Sequence, residues 1–361
     1  MIEIKKSEFK VFENKKVLVT GHTGFKGSWL CLWLSLLGSK IMGISNSQRE
    51  KNSNFHLFNL KKKLIDKNFD IRNYKLLKKN LRSFKPDYIF HLAAQAIVKN
   101  SYIEPKQTWE SNTIGTLNIL ESARTLKQRC TIIMITSDKV YKNLETNKGY
   151  KESDQLGGFD PYSASKASAD IAINSYSKSF FNNGNIKIAT ARAGNVVGGG
   201  DWSNDRLIPD CIRYTLKKKK VVIRNPNSTR PWQHVLDILD GYLALAKKLN
   251  KNHNLSGEAF NFGPDGKNIR VAEVVRKMKK YWNNINIKVK KKSNFKEAKL
   301  LKLSVRKAKK LLNWKCKLQI DLIVKLTTNW YLEFRKNKNN IEHISIQQIK
   351  YFELLKWKKK H

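Results

Sequence analysis

Acidic residues are scarce in this sequence. The chain of 361 residues carries 29 Asp and Glu against 71 Lys and Arg, a formal net charge of +42. Such an excess would suit a nucleic-acid-binding protein. However, the lysines are spread along the whole chain, with short clusters at 61–63, 217–220 and 358–360, and no arginine-rich arm or helix-turn-helix accompanies them. We therefore expect no nucleic-acid partner, although the charge should favour anionic small molecules.

Cysteines and long apolar runs are also scarce. The four cysteines, at positions 31, 130, 211 and 316, are widely separated. This spacing excludes a C-x-x-C zinc motif, and it predicts neither a metal site nor a disulfide framework. A reducing cytoplasm fits this usage. The apolar run over 29–37 is far shorter than the ~20 residues that span a bilayer, so we expect no membrane helix. The first residues are mixed and charged, so we expect no signal peptide.

A glycine cluster near the start of the chain carries the first functional signal. The apolar run 17–20 stops at Gly21, and a helix-length apolar pattern follows, which predicts strand, tight turn and helix. Gly21 would permit the turn, Gly24 would let the backbone approach a pyrophosphate, and Gly27 would let the helix pack closely on the strand. The amides at the helix start would then face a phosphate. We therefore predict a dinucleotide site here.

Strand and helix patterns alternate up to residue 191, with strands predicted at 40–44, 87–92, 131–136 and 186–191. This alternation predicts an α/β fold with a Rossmann-type, doubly wound parallel sheet. The pattern loosens after Arg192. We therefore expect a dinucleotide-binding domain over 1–191 and a smaller mixed α/β substrate lobe over 192–361, some of whose segments return to the sheet. Residues 1–15 are expected to be a loose polar lead-in, and 344–356 an amphipathic helix that packs on the body.

Two motifs further along the chain indicate proton transfer. Tyr162 and Lys166 would lie one turn apart on the same face of a helix. An ammonium beside a phenol lowers the phenol's pKa and makes it a better proton acceptor. Ser137, Asp138 and Lys139 follow a fully apolar strand. In this order after a glycine turn, these residues resemble the extended short-chain dehydrogenase/reductases, the branch of that superfamily that modifies sugar nucleotides.

Longer stretches resemble one family of that branch, the nucleotide-sugar 4,6-dehydratases. These stretches are 21–29, 136–139, 191–202 and 230–235, and the resemblance covers roughly residues 10 to 355. The resemblance implies a lyase that uses NAD catalytically and removes water from a nucleotide sugar, here CDP-glucose. Other bases stay open, because no residue visibly reads the cytosine edge. A 4-epimerase of the same fold is the rival enzyme, and a basic nucleic-acid binder the rival non-enzyme. Asp138 and Lys139 argue against the epimerase, which needs no acid–base pair at carbons 5 and 6.

The resemblance also implies roles for individual side chains. Tyr162 would take the proton of the sugar's 4-hydroxyl, and Ser137 would hydrogen-bond the same oxygen. Asp138 is the expected acid at the 6-hydroxyl, which requires a pKa raised by burial. Lys139 is the expected base at carbon 5, which requires a lowered pKa. The division of roles between Asp138 and Lys139 stays open. So does the alternative that these two residues form only a solvated ion pair in a surface loop.

The implied binding residues fall into two sets. The cofactor set is Gly21, Thr23, Gly24, Phe25, Lys26, Gly27, Asp70, Ile71, Ala93, Ala94, Gln95, Asn112, Tyr162 and Lys166. The substrate set is Ser137, Asn195, Arg206, Arg230 and His234, in which the guanidinium groups suit the diphosphate. A core position is an equal alternative for His234. Ser47 stands where a carboxylate would select NAD over NADP, and Arg49 follows it, yet NAD is favoured. The resemblance implies a homodimer formed through helices at 112–127 and 162–181.

Overall fold

The computed structural model describes residues 7–46, 50–146, 148–181, 184–223, 225–265, 269–289 and 300–357. Ser47, Arg49 and the lysines at 358–360 lie outside these residues. The strands are β1 (Lys16–Thr20), β2 (Lys40–Ser45), β3 (Ile65–Asn68), β4 (Tyr88–His91), β5 (Cys130–Ile135), β6 (Ile186–Ala193), β7 (Val196–Val197), β8 (Val221–Ile223), β9 (Thr229–Arg230), β10 (Gln233–His234), β11 (Ala259–Phe262), β12 (Ile269–Arg270) and β13 (Ile287–Val289).

The described helices alternate with these strands. They are α1 (Phe25–Leu36), α2 (Asn54–Leu57), α3 (Tyr74–Phe84), α4 (Val98–Ile103), α5 (Pro105–Trp109), α6 (Gly115–Arg124), α7 (Pro161–Phe180), α8 (Leu207–Leu216), α9 (Val235–Lys251), α10 (Val271–Lys279), α11 (Arg306–Leu312), α12 (Ile320–Lys336) and α13 (Ile341–Trp357). A π-helical turn, Glu110–Ile114, joins α5 to α6. None of the described helices is long and apolar enough to cross a membrane.

A seven-stranded parallel sheet organises the molecule, in the order β11-β6-β5-β4-β1-β2-β3. The order of strands reverses between β1 and β4. In such sheets the carboxyl ends of the strands on either side of the reversal open a crevice for a ligand. The predicted Rossmann-type α/β fold is confirmed, and β11, from late in the chain, is the last strand of this sheet.

Burial on both faces explains why the sheet strands read as apolar runs. Every residue of β5 is buried, as expected for a central parallel strand covered by helices on both sides. Helix α1 is apolar nearly all round because the sheet lies on one side and later helices on the other. Its residue Trp33 packs edge-on against Phe352 of α13, with ring centroids 5.8 Å apart. The expected packing of the terminal helix on the body is thereby confirmed.

The expectation of a loose lead-in is wrong for residues 7–15. Phe9 and Phe12 are fully buried. Phe9 packs edge-on against Trp33 at 6.1 Å between ring centroids, and Phe12 lies 4.8 Å from the ring of Tyr88. Three apolar residues among polar and charged neighbours give too short a pattern to reveal this burial from the sequence.

Beyond β6 the strands are short. Strand β7 pairs with β10 and β9 with β12 over two residues each, and β8 pairs with β13 over three. Helices α8 and α10 pack together in this region, and α12 packs against α10 and α13. Because such short ladders supply few backbone hydrogen bonds, side-chain contacts must fix much of the geometry here.

Candidate active site

The glycine turn closes tightly between β1 and α1. Gly21 has a φ of +72°, and a Cβ there would lie 2.9 Å from the Cα of Ala93 at the end of β4. A Cβ on Gly27 would lie 2.1 Å from the Gly21 carbonyl oxygen. Only glycine fits at these two positions. Gly24 precedes α1 and is exposed, so the amides at the helix start are open to an anion.

Polar contacts hold the wall beside this turn. The Thr23 and Ser45 hydroxyls are 2.7 Å apart, and His22 Nε2 lies 3.0 Å from Asp66 Oδ1. These bonds tie the turn to β2 and β3. His22 packs on Gly43, where a Cβ would lie 2.3 Å from the ring. The turn is therefore fixed from the side as well as by its own backbone.

Asp70 and Ile71 lie after β3 as predicted for the adenosine end of the site. Arg72 Nη2 donates to Asp70 Oδ2 at 2.8 Å, and Asn46 Nδ2 donates to the same oxygen at 2.6 Å. Hydrogen bonds and the charge of Arg72 lower the pKa of the Asp70 carboxyl, although burial opposes the shift. Ile71 is buried, with its Cδ1 2.5 Å from where a Cβ on Gly115 would be.

Asn112 connects the end of β4 to helix α7. Its Oδ1 accepts from the Gln95 amide at 2.8 Å, and its Nδ2 donates to the Ser165 hydroxyl at 2.9 Å. The π-helical turn contains Asn112, a local deviation that often marks functional sites. Ala93, Ala94 and Gln95 thus border the crevice beside the proposed catalytic helix.

Tyr162, Ser137, Asp138 and Lys166 are brought together at the carboxyl end of β5. All four side chains are buried. The Ser137 hydroxyl donates to Asp138 Oδ1 at 3.1 Å and is also hydrogen-bonded to the Tyr162 phenol. Lys166 Nζ donates to the Ile135 carbonyl oxygen at 3.2 Å. Sequence-adjacent residues on a strand end and one helix face therefore form a single polar cluster.

Helix α7 starts as the sequence predicts. Pro161 occupies its first turn, and Asp160 caps it by accepting from the Ser163 amide at 2.9 Å. The cap fixes where the helix begins. It therefore fixes the rotation that turns Tyr162 and Lys166 towards β5.

Burial dominates the protonation of the cluster. It raises the pKa of Asp138, against smaller effects of Lys139, Ser137 and Arg230, in the direction that a proton donor requires. Burial and then the charge of Lys26 lower the pKa of Lys166 to about 7. The expected lowering of the phenol's pKa is not met: burial raises the pKa of Tyr162, although its hydrogen bond with Ser137 opposes the shift.

A buried ion pair behind the cluster could not be predicted from the sequence. Arg192 Nε and Nη2 donate to the two carboxylate oxygens of Asp170 at 2.8 and 2.7 Å. The Thr136 hydroxyl donates to Asp170 at 3.0 Å, and Arg192 donates to the Tyr141 hydroxyl at 2.9 Å. The pair thus joins β6 and α7 to the residue before Ser137.

The loop at 198–202 ends one of the stretches that carry the family resemblance, and distant side chains hold it in place. The Gly199 carbonyl oxygen accepts from Trp29 Nε1 at 2.9 Å and from Asn54 Nδ2 at 3.2 Å. The Tyr331 hydroxyl of α12 donates to the Asp201 carbonyl oxygen at 2.6 Å. Trp29, Asn54 and Tyr331 were not among the predicted site residues. Trp29 ends the stretch 21–29 that carries the resemblance, whereas no local motif identifies Asn54 or Tyr331.

The predicted substrate residues have different surroundings. Arg206 donates to Asp201 Oδ2 at 3.0 Å, and Arg230 lies close enough to Asp138 to lower that carboxyl's pKa. Asn195 is half-buried, and its carbonyl oxygen accepts from the Gln233 amide at 3.3 Å. These three residues are partly exposed, as ligand contact requires.

His234 corrects the prediction of a substrate contact. It is fully buried and caps α9, its Nδ1 accepting from the Leu236 amide at 3.3 Å. Burial lowers its pKa to about 3, so it stays neutral. A side chain with no exposed surface contacts no ligand in the cleft, and the core alternative describes it.

Comparison with known proteins now adds to this geometry. The profile of the family described as GDP-mannose 4,6 dehydratase matches residues 18–327. The chain belongs to this family. Membership confirms the predicted enzyme class, a nucleotide-sugar 4,6-dehydratase of the hydro-lyase type.

One relative agrees with the assigned enzyme class, and two solved structures agree with the fold. The chain is 40% identical over 310 residues to the CDP-glucose 4,6-dehydratase of Salmonella typhimurium, covering 84% of this chain and 86% of that one. Among solved structures, the epimerase Mth375 of Methanothermobacter thermautotrophicus matches with a TM-score of 0.79 at 23% identity, over 92% and 96% of the two chains. The dTDP-glucose 4,6-dehydratase of Bacillus anthracis, solved in complex with NAD, matches with a TM-score of 0.75 at 22% identity, over 91% and 99%.

Proposed function

We propose that this enzyme converts CDP-D-glucose to CDP-4-dehydro-6-deoxy-D-glucose and water, with NAD recycled within each turnover. The observation that carries the proposal is the buried cluster of Tyr162, Ser137 and Asp138 at the carboxyl end of β5, close to the reversal of strand order. The CDP base follows from the 40% identical relative.

The glycine turn fits the dinucleotide. A Cβ would clash at Gly21 and Gly27, and the exposed amides at the start of α1 suit a pyrophosphate. We propose that Thr23, Phe25, Asp70 and Ile71 line the rest of this site. When bound, NAD would accept the hydride from carbon 4 and would later give the same hydride to carbon 6.

The side chains divide the proton transfers. Tyr162 takes the proton of the 4-hydroxyl as its phenolate, the form that burial disfavours, and Ser137 orients that oxygen. Lys139 removes the proton on carbon 5, which the new ketone has made acidic, and returns it there when the hydride reaches carbon 6. Asp138, whose pKa burial raises, donates its proton to the departing 6-hydroxyl.

A substrate panel tests the proposed reaction. Protein purified with NAD is incubated with CDP-, UDP-, GDP- and dTDP-glucose, and the products are weighed by mass spectrometry. We expect the loss of one water from CDP-glucose first. A product of unchanged mass with an inverted 4-hydroxyl would instead identify a 4-epimerase, and turnover of another nucleotide alone would overturn the base assignment.

Lys139→Met tests the role at carbon 5. We expect this variant to lose no water and to incorporate no solvent deuterium at carbon 5, while hydride still moves to NAD. Deuterium exchange at the normal rate would overturn the assignment. Lys142→Met, three residues along the same loop, provides the control and should exchange normally.

We also propose a cytoplasmic homodimer. Two helices from each protomer, at 112–127 and 162–181, would form a four-helix bundle. Apolar side chains are exposed on or beside them, with Ile171 58%, Phe180 50% and Ile114 47% exposed. The four cysteines are free thiols, as a reducing compartment requires. Light scattering of the wild type should give twice the mass of the chain, and Ile171→Lys should give monomers. A wild-type monomer would overturn the dimer.

A further inference from the structure

Lys26 has surroundings that its place in the glycine turn does not explain. It is the second residue of α1 and is half-buried. Its ammonium lies 5.9 Å from the ring centroid of Tyr242 on α9, a fully buried residue. An aromatic face attracts a cation, so this ring helps to hold the ammonium in place.

The charged groups that shift the pKa of Lys26 lie on the loops proposed to hold the substrate. Asp138 and Asp201 raise the pKa of Lys26, and Arg206 lowers it, while Lys26 itself lowers the pKa of Lys166. Asp138 belongs to the proposed catalytic loop, and the other two belong to the loop at 198–206.

The ammonium has no carboxylate of its own. Among the described residues, none of the carboxylate oxygens lies within 4.0 Å of Lys26 Nζ. Asp201 pairs with Arg206 at 3.0 Å, and Asp138 accepts from Ser137 at 3.1 Å. Burial therefore lowers the pKa of Lys26 to about 8. A partly buried cation without a partner costs free energy that an anionic ligand would offset.

We propose that the Lys26 ammonium binds a phosphate oxygen of a diphosphate, and that this diphosphate belongs to the nucleotide sugar. The dinucleotide pyrophosphate is already served by the amides of the turn. Lys26 and Arg206 would hold the substrate diphosphate from the two sides of the cleft. This inference rests on the proposed function, since it takes a nucleotide sugar as the substrate.

Direct binding tests the inference independently of turnover. CDP and CMP are titrated by calorimetry into NAD-loaded wild type, Lys26→Met and Lys26→Arg. We expect Lys26→Met to bind CDP about 10- to 100-fold more weakly, the range for a lost charged hydrogen bond. CMP affinity should change less, NAD affinity should stay within about twofold, and Lys26→Arg should recover part of the loss. Lys40→Met, an exposed lysine at the opposite end of the sheet, provides the control and should match the wild type.

Other results of these titrations would contradict particular parts of the inference or of the proposed function. A loss of NAD affinity with unchanged CDP affinity would move Lys26 to the dinucleotide. Unchanged affinities with a lower kcat and a shifted pH profile would make it a proton-transfer group. A Lys26→Arg variant as weak as Lys26→Met would show that charge is not the cause. If the wild type binds CDP but dehydrates no nucleotide sugar, the proposed function fails while the diphosphate contact stands, and if it binds no nucleoside diphosphate, both fail.

Discussion

The two sides of the cleft are built by different means. On the cofactor side, the glycine turn follows β1, which pairs with β2 and β4 along its length, so backbone hydrogen bonds set its position. On the substrate side, β7 and β10 pair over two residues, and side chains hold the loop at 198–202. Those side chains come from residues 130 to 170 positions away in the chain.

The difference predicts how each side responds to change. Many backbone hydrogen bonds together fix the position of a paired strand, so the loss of one changes little. The position of a loop held by three side chains depends on each of those side chains. We therefore expect substitutions in the loop to change substrate affinity strongly without affecting the cofactor. The substitutions that follow test the two sides of the cleft and the junction between them, from the largest expected effect to the smallest.

Tyr162→Phe should cause the largest loss, because it removes the hydroxyl that we propose takes the proton of the 4-hydroxyl. Loss of proton transfer is expected to lower kcat about 10²- to 10⁴-fold. NAD affinity and melting temperature should change little, since only one hydroxyl group, hydrogen-bonded to Ser137, is removed. Tyr176→Phe, further along α7 and bonded to Glu121, provides the control. A Tyr162→Phe variant with normal kcat would remove Tyr162 from the mechanism.

Arg192→Met tests the junction between the two sides, where β6 ends. It leaves the Asp170 carboxylate buried and unpaired, which costs about 3–5 kcal/mol of unfolding free energy. Arg192→Met/Asp170→Leu should recover much of this, because no isolated charge stays buried. Urea unfolding measures the free energy of unfolding of both variants. The exposed ion pair of Arg124 with Glu121 provides the control, because Arg124→Met should change that free energy little. A single variant as stable as the wild type would contradict the structural role of the pair.

The contrast between the two sides also explains what the sequence could predict. The glycine turn, the shared face of Tyr162 and Lys166, and the buried Asp138 follow from local patterns, because strand and helix geometry places neighbouring residues. The Asp170–Arg192 pair could not be predicted, since the two residues lie 22 positions apart on different elements and neither has a distinctive neighbour.

Errors arose where tertiary packing overrides local pattern. His234 follows a motif arginine by four residues, which suggested a ligand, yet it caps a helix in the core. Phe9 and Phe12 lie among charged residues, and packing against Trp33 of α1 and Tyr88 of β4 buries them. The lowered phenol pKa was expected from the spacing of Tyr162 and Lys166 alone, but burial outweighs that spacing.

Asp138→Asn tests the proposed acid. We expect kcat for water loss to fall about 10²-fold, because the amide cannot give up a proton to the 6-hydroxyl. In the wild type, the rate should fall as the pH rises through the raised pKa of Asp138, since only the protonated carboxyl donates. The variant should lack that limb of the pH profile. An unchanged limb would assign it to another group.

Gly199→Ala tests the substrate side alone. An added Cβ would lie 2.1 Å from Trp330 Cγ, so the loop must shift, and overpacking of this kind costs about 1–3 kcal/mol. We expect KM to rise about tenfold while NAD affinity stays constant. Gly263→Ala provides the control, since its nearest side-chain atoms are 3.9–4.0 Å away. Equal effects on KM and NAD affinity would show that the two sides are not independent.

Asn73→Ala should have the smallest effect and addresses the start of α3, which follows the adenosine end of the cofactor side. Asn73 caps α3, its Oδ1 accepting from the Leu76 amide at 3.1 Å. Removing this bond leaves a helix amide to water and should cost about 1 kcal/mol of unfolding free energy. KM and NAD affinity should stay constant, because the backbone ladders of β1 and β2 do not depend on this cap. Lys79→Ala, exposed within the same helix, should change stability by less than about 0.5 kcal/mol. A change in NAD affinity in Asn73→Ala would mean that the cofactor side is less robust than its regular strands indicate.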